Sequence, residues 1–231
     1  FSNYIEGTDF PVDQAIRIVF EHEMPTDRPS DAHDVLGTYR LAASRDEMRR
    51  APHSFDDFLS LLKRRHAVIL ESRPDKLPGQ FKTADNRAGG TLFVAHELVT
   101  GTLRQGFGML QALDVPFARA LFTMFLVAEV HPFMDGNGRM ARLMMNAELI
   151  AAGQCRLFIP SVYRNEYIGA LKRLTNHCDP AAFLRVMGTA QDFVSRIDFS
   201  DLHEARRQLD TCNAFADPTE DIKLQMPAPP R

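Results

Sequence analysis

The residues best placed to do chemistry lie in one stretch, His131-Pro132-Phe133-Met134-Asp135-Gly136-Asn137-Gly138-Arg139-Met140-Ala141-Arg142. Proline disfavours helical backbone at the residue before it, so a helix should end at His131 and leave its imidazole beside a loop. An imidazole there suits general-base work near neutral pH. Gly136 and Gly138 permit tight turns, and Asn137 is expected to cap the helix that follows. The N–H groups at such a helix start form an anion site. Arg139 and Arg142 are three residues apart, share one broad face of that helix and can both reach an extended polyphosphate. Asp135, just ahead, is a carboxylate of the kind Mg²⁺ takes together with phosphate oxygens. A base, a metal carboxylate, a phosphate nest and two guanidiniums in so short a span point to phosphoryl or nucleotidyl transfer.

Helices must position these groups. Helical spacing of apolar residues predicts helices over 10–23, 31–50, 95–112, 115–130, 137–152, 165–176, 180–195 and 201–215. In the second of these, Ser30 is the expected cap and Ala32, Val35, Leu36, Tyr39 and Ala43 the buried face. A further helix is capped by Ser54 and carries Phe55, Phe58, Leu59, Leu62 and Val68. The clearest helix follows the chemical stretch, with Met140, Leu143, Met144, Ala147, Ile150 and Ala151 on one stripe and Gly153 as its stop. The segment 80–94 has no helical period and reads as a short hairpin. The expected fold is all-α, a helical bundle with a β-hairpin flap beside the active site, as one domain over 1–216 with a Pro-rich tail over 217–231.

Composition excludes several classes. The 231 residues carry 27 Lys and Arg against 30 Asp and Glu, a net charge of −3, which argues against a nucleic-acid partner. The longest apolar stretch, 120–128, is far shorter than the roughly 20 residues of a membrane helix. Cys155, Cys178 and Cys212 are scattered and odd in number, so a reduced, cytoplasmic protein is expected, each cysteine a small buried apolar residue. The chain opens on Phe1 in place of Met, which reads as a truncated start.

The stretch resembles the signature of the Fic domain, H-x-F-x-[DE]-G-N-G-R-x-x-R, at every fixed position. Pro78-Gly79-Gln80-Phe81-Lys82-Thr83 is similar to the start of that family's flap. Glu166-Tyr167, Ala170-Leu171, Asn176 and Asp179 are similar to its nucleobase region. The resemblance implies an all-α fold and transfer of AMP from ATP to a Ser, Thr or Tyr hydroxyl of a target protein. It implies His131 as base, with Asn137 assisting, Asp135 on Mg²⁺, and Gly136, Asn137 and Gly138 around the α-phosphate. Arg139 and Arg142 then take the β- and γ-phosphates, Tyr167 and Asn176 the base, and Phe133 is a core wedge. The flap, about 79–94 and opening on Phe81, Lys82 and Thr83, docks the target by strand pairing. Lys82 stands where arginine is common, and Asn86 and Ala88 where apolar residues are common. A homodimer is allowed.

Ser2-Asn3-Tyr4-Ile5-Glu6-Gly7 resembles the inhibitory motif [ST]-x-x-x-E-[GN] of the self-inhibited class, a helix over about 1–8. There Glu6 pairs with Arg142 and misplaces ATP. Members of the family also transfer other phosphate-containing groups or remove AMP, and a nucleotide-sensing module on this scaffold is the alternative from another class.

Other features have plainer readings. Gly136-x-Gly138-x-x-Ala141 also fits a loose dinucleotide fingerprint but lacks a preceding strand. His33-Asp34 and the basic runs Arg49-Arg50 and Lys63-Arg64-Arg65 are expected on solvated helix faces. Met140, Met144 and Met145 are expected in the core, and His66, His96, His177 and His203 have no metal-ligand spacing.

Overall fold

The structure is a computed structural model that describes residues 1–8 and 10–228. The described residues form two compact units, one of Phe1–Ile5 with Cys155–Arg231 and one of Glu6–Gln154. Both are built from helices, and the β-structure among the described residues is a two-strand antiparallel hairpin.

The larger unit contains α2 (Val12–Ile16) with a π-helical turn over Arg17–Glu21, α3 (Pro29–Ala43), α4 (Arg45–Met48), α5 (Phe55–Ile69), the strands β1 (Arg87–Ala88) and β2 (Thr91–Leu92), α6 (Val99–Gln111), α7 (Pro116–Val130) and α8 (Asn137–Ala151). Its spine is α8, which packs along α7 and against α4 and α5. Met140, Met144, Met145, Ala147 and Leu149 are fully buried on it, so the methionines are core as expected. Gly153 follows the helix end with φ 72°, and the N–H of Gln154 returns to the carbonyl of Leu149 at 2.8 Å, closing the helix as glycine allows.

Several expected elements change. The helix over 31–50 breaks at Ser44, whose hydroxyl accepts the N–H of Glu47 at 3.3 Å and starts α4. The cap position of α3 is Arg28 rather than Ser30, because Pro29 fits the first helical position. The buried face of α3 is Ala32, Asp34, Gly37 and Leu41, not the stripe ending in Tyr39 and Ala43. On α5, Ser54 caps as expected, accepting the N–H of Asp57 at 3.2 Å. Its buried stripe runs Phe58, Leu61, Leu62, Arg65, His66 and Ile69. Arg65 is thus no solvated charge. Its guanidinium is wholly buried, pairs with Glu47, donates to the carbonyls of Glu47 and Arg50, and reaches Met144 Sδ at 3.0 Å. Burial pulls its pKa down and Glu47 opposes that, as a buried cation requires if it is to stay charged. The hairpin is narrower than 79–94, with register Arg87↔Leu92 and Ala88↔Thr91.

The smaller unit holds α1 (Ser2–Ile5), α9 (Arg164–His177), α10 (Ala181–Ser195) and α11 (Leu202–Thr211). Phe193, Val194, Ile197, Ala205, Leu209, Cys212 and Ala214 form its core. Phe1 stacks between Phe158 at 4.5 Å and Phe215 at 4.9 Å, and Arg164 Nε donates to the Ile5 carbonyl at 3.3 Å, so α1 is fastened at both ends. In the proline-rich tail, the N–H of Gln225 donates to the Cys212 carbonyl at 3.0 Å and Leu224 packs on the core. The last three residues, 229–231, lie outside the described ones. Of the cysteines only Cys212 is buried, and Cys155 and Cys178 are exposed because they sit just past the ends of α8 and α9. No helix among the described residues is long and apolar enough to cross a membrane.

The contact of α3 with α5 yields a paired prediction. A Cβ added at Gly37 would lie 2.4 Å from the Val68 carbonyl oxygen, which is backbone and cannot swing away. At Gly101, on the exposed side of α6, a Cβ meets nothing within 4 Å. Gly101→Ala should therefore stabilise by about 0.5–1 kcal/mol through helix propensity. Gly37→Ala should destabilise by about 1–3 kcal/mol through overpacking. Urea unfolding of the two variants checks the opposite signs.

Candidate active site

The loop joining α7 to α8 carries the chemical stretch. Helix α7 ends at Val130, and His131 takes the left-handed conformation, φ 50° and ψ 59°. This ends α7 ahead of Pro132, before which helical backbone is disfavoured. Its Nδ1 lies 3.1 Å from the Ala128 carbonyl, so Nδ1 carries the proton and donates, leaving the lone pair on Nε2. The ring stacks on Phe93 at 3.6 Å. Burial is the largest cause that lowers the His131 pKa; Lys82 lowers it too, while the Ala128 carbonyl, Glu6 and Asp135 raise it. The net effect is a neutral imidazole with Nε2 ready to accept a proton.

Asn137 does not cap α8. Gly136 holds the cap position with φ 72°, a conformation glycine adopts without strain, and Asn137 is the first helical residue. Its side chain turns back across the loop. Oδ1 accepts the N–H of Phe133 and Nδ2 donates to the carbonyl of the same residue, both at 2.9 Å. Phe133 is fully buried and stacks on His66 at 3.7 Å. His66 in turn braces the loop from beneath. The Gly79 N–H donates to its Nδ1 at 2.9 Å, so Nε2 bears the proton and donates to the Asp135 carbonyl at 3.1 Å. Burial pushes the His66 pKa down to about 4.

Both signature arginines face carboxylates of the chain itself. Arg142 Nη2 contacts Glu6 Oε1 at 2.6 Å. The same carboxylate lies against the start of α8, since a Cβ on Gly138 would be 2.1 Å from Glu6 Oε1. Arg139 Nη1 lies 2.6 Å from Asp34 Oδ2, and its Nη2 is 3.7 Å from Asp135 Oδ1. Asp34 is not on a solvated face: it is 1% exposed and also meets Arg73 at 3.0 Å. The negative charge of buried Asp34 is compensated by these two guanidiniums. Asp135 is partly exposed, and one of its oxygens accepts the Gly136 N–H.

The larger unit thus brings together His131, Asp135, Gly136, Asn137, Gly138, Arg139, Arg142 and Glu6. Ser2, Tyr167 and Asn176 belong to the smaller unit, on α1 and α9, with Tyr167 buried and Asn176 exposed. Of the three residues expected to open the flap, Phe81, Lys82 and Thr83, only Thr83 is exposed. Phe81 is half-buried against Phe133, with Lys63 over its ring, and Lys82 is 3% exposed. Sequence reasoning missed His66, Asp34 and the stacking of Phe93. The first two lie on the helical stripes that bury Phe58 and Gly37, a periodicity that could have found them.

Among the described residues the chain has a helical scaffold with one hairpin, and a glycine-capped turn joins α7 to α8, two of its longest helices. The chain matches the sequence profile of the Fic/DOC family over residues 55–149. It is 41% identical over 70 residues to protein adenylyltransferase Fic of Drosophila yakuba and 40% identical over 70 residues to that of Drosophila persimilis. Those matches cover 30% of this chain and 14% of each relative's length. Among solved structures it is similar to Fic-1 from C. elegans, with a TM-score of 0.67 and 24% identity over 82% of this chain and 58% of that one. It is also similar to a Fic domain containing signaling protein from Bacteroides thetaiotaomicron, with a TM-score of 0.65 and 19% identity over 82% of this chain and 78% of the other.

The His66 geometry makes its own prediction. With a pKa of about 4, His66 should remain the neutral Nε2–H tautomer at about pH 5.5. Long-range ¹H–¹⁵N spectra check this; two imidazolium-type nitrogens on His66 at that pH would contradict the buried arrangement.

Proposed function

We propose that this chain is a protein adenylyltransferase, transferring AMP from ATP to a Ser, Thr or Tyr hydroxyl of a target protein, and that Glu6 restrains it. The observation that carries the reading is the carboxylate of Glu6, seated on Arg142 and against Gly138. A carboxylate there marks an anion site at a helix N-terminus, in the turn that begins with a neutral imidazole. The names of the Drosophila relatives support the same activity.

In this reading His131 Nε2 takes the proton of the target hydroxyl. The hydroxyl oxygen bonds to the α-phosphorus, the bond to the bridging oxygen breaks, and pyrophosphate leaves. N–H groups at the start of α8 hold the α-phosphate, and Asn137 keeps them aimed by locking Phe133. Arg139 and Arg142 face the outer phosphates. Asp135 suits Mg²⁺, because its carboxylate is partly exposed and its other neighbour is a phosphate-directed arginine. Bound there, Mg²⁺ would neutralise phosphate charge. The hairpin offers a short edge on which an extended target segment can pair.

Glu6 occupies the partner of the γ-phosphate, so the nucleotide must break a part-buried, charge-assisted contact of about 1.5–3 kcal/mol before it seats productively. Glu6→Gly should therefore raise labelling of itself or of lysate proteins from α-labelled ATP and Mg²⁺ by about tenfold or more. His131→Ala in that background should lower the rate about 10²–10⁴-fold while ATP binding persists. Absence of labelling by Glu6→Gly would reject transfer. ATP binding that still responds to Glu6 would then favour the nucleotide-sensing reading, which the Glu6–Arg142 contact equally serves.

The pH profile supplies a separate check. Because the His131 pKa is lowered from 6.5, the base stays deprotonated to lower pH. The acidic limb of kcat should then lie below pH 6.5. A limb above that value would show that the burial of His131 does not hold in the working enzyme.

A further inference from the structure

His131 holds a left-handed backbone, a conformation that costs a non-glycine residue about 1–2 kcal/mol. Something must hold it there. The carbonyls on either side are each tied to the segment before the hairpin. Lys82 donates its backbone N–H to the Pro132 carbonyl at 2.8 Å and its ammonium to the Val130 carbonyl at 3.4 Å. Asn86 Nδ2 donates to the Phe133 carbonyl at 2.9 Å, while its Oδ1 accepts from Lys82 Nζ at 2.7 Å. The turn carrying the base is therefore fastened at Val130 and Phe133 by two side chains that also hold each other, and at Pro132 by the backbone N–H of Lys82.

The hairpin adds a third grip. Beyond the Arg87↔Leu92 pair, the Phe93 N–H donates to the Asn86 carbonyl at 3.3 Å, which makes Asn86 and Phe93 the last rung. Opposed residues of an antiparallel pair project to one face. Here Asn86 reaches the loop from that face and Phe93 lays its ring on the His131 imidazole at 3.6 Å.

We infer that Lys82, Asn86 and Phe93 are positioning residues that set the backbone and ring of His131. This rests on the reading of His131 as the base. The chemistry at Lys82 supports it. An ammonium only 3% exposed is costly to bury, and burial pulls its pKa down. A Met would fill the same space without that cost, so the charge is explained by the two acceptors it joins. The charged groups that act on His131 are Lys82, Glu6 and Asp135.

The test uses the full chain carrying Glu6→Gly, with Lys82→Met, Asn86→Leu and the conservative Lys82→Arg added singly. Lys82→Met and Asn86→Leu should each lower kcat for AMP labelling about 10–100-fold with KM for ATP within about twofold. Lys82→Arg, which keeps a charged donor, should recover most of the loss. In the nucleotide-free protein, the ¹³Cα shift and the HN–Hα coupling of His131 should leave left-handed values in Lys82→Met and keep them in Lys82→Arg. Unchanged His131 resonances in Lys82→Met, or equal losses in the Arg and Met variants, would overturn the inference. The resonances are read without catalysis, so they decide the matter even where the Glu6→Gly parent fails to label and the transferase reading falls. Asn86 is half-buried, and Asn86→Leu gives the same readouts if Lys82→Met does not fold.

Discussion

The turn between α7 and α8 is closed by one side chain. Asn137 takes the N–H of Phe133 and returns a bond to its carbonyl, both at 2.9 Å, so a residue four positions back is fixed as firmly as in a helical turn. With Phe133 pinned, its ring is driven into the core against His66, and Pro132 has little freedom. His131, between α7 and this pinned segment, takes the left-handed region. The same bond frees Gly136 to cap α8, which points the helix N-terminus at the space beside the imidazole. Removing the amide would leave the buried N–H of Phe133 without its partner, a loss of about 1–3 kcal/mol in the turn that carries the chemistry, while the carbonyl would keep its bond from Asn86.

The supporting shell follows the same logic of satisfying buried polar groups. His66 is neutral because it must accept from Gly79 and donate to Asp135 at once, and burial makes the imidazolium unfavourable. Arg65 is charged because Glu47 and two carbonyls surround it. Neither residue is a reactant. Each joins α5 to an element that carries the site, His66 to the loop and Arg65 to α4 and Met144 of α8.

Much of this was legible in the sequence. The turn and the long α8 follow from residue type and spacing, and the reach of Glu6 to Arg142 is what the resemblance of residues 2–7 to an inhibitory motif implies. The phase of the buried stripe on α3 and α5 was not. An apolar count gives Val35, Tyr39, Leu59 and Val68 weight that belongs to Asp34, Gly37, Arg65 and His66. A periodicity search that scores only apolar residues cannot see a polar group whose burial is stabilised by a distant partner. The cap of α8 failed for a related reason. Asn is a good capping residue, but its amide does better here by closing the loop on Phe133, and the adjacent glycine can take the cap position unaided.

The two signature arginines differ in how tightly the chain holds them. Arg139 and Asp34 are 3% and 1% exposed, and Asp34 is shared with Arg73. Breaking that contact would leave the buried Asp34 carboxylate with half of its compensating charge. Arg142 is likewise buried, but the Glu6 side chain opposite it is 30% exposed and follows a four-residue helix. In the proposed reading an incoming polyphosphate would displace Glu6 into water and keep Arg142 paired throughout. It cannot do the same at Arg139 without leaving Asp34 to Arg73 alone. Exchange of one anion for another at a helix N-terminus is therefore feasible at Arg142 and resisted at Arg139, so the site has one arginine able to switch partners and one that stays in place.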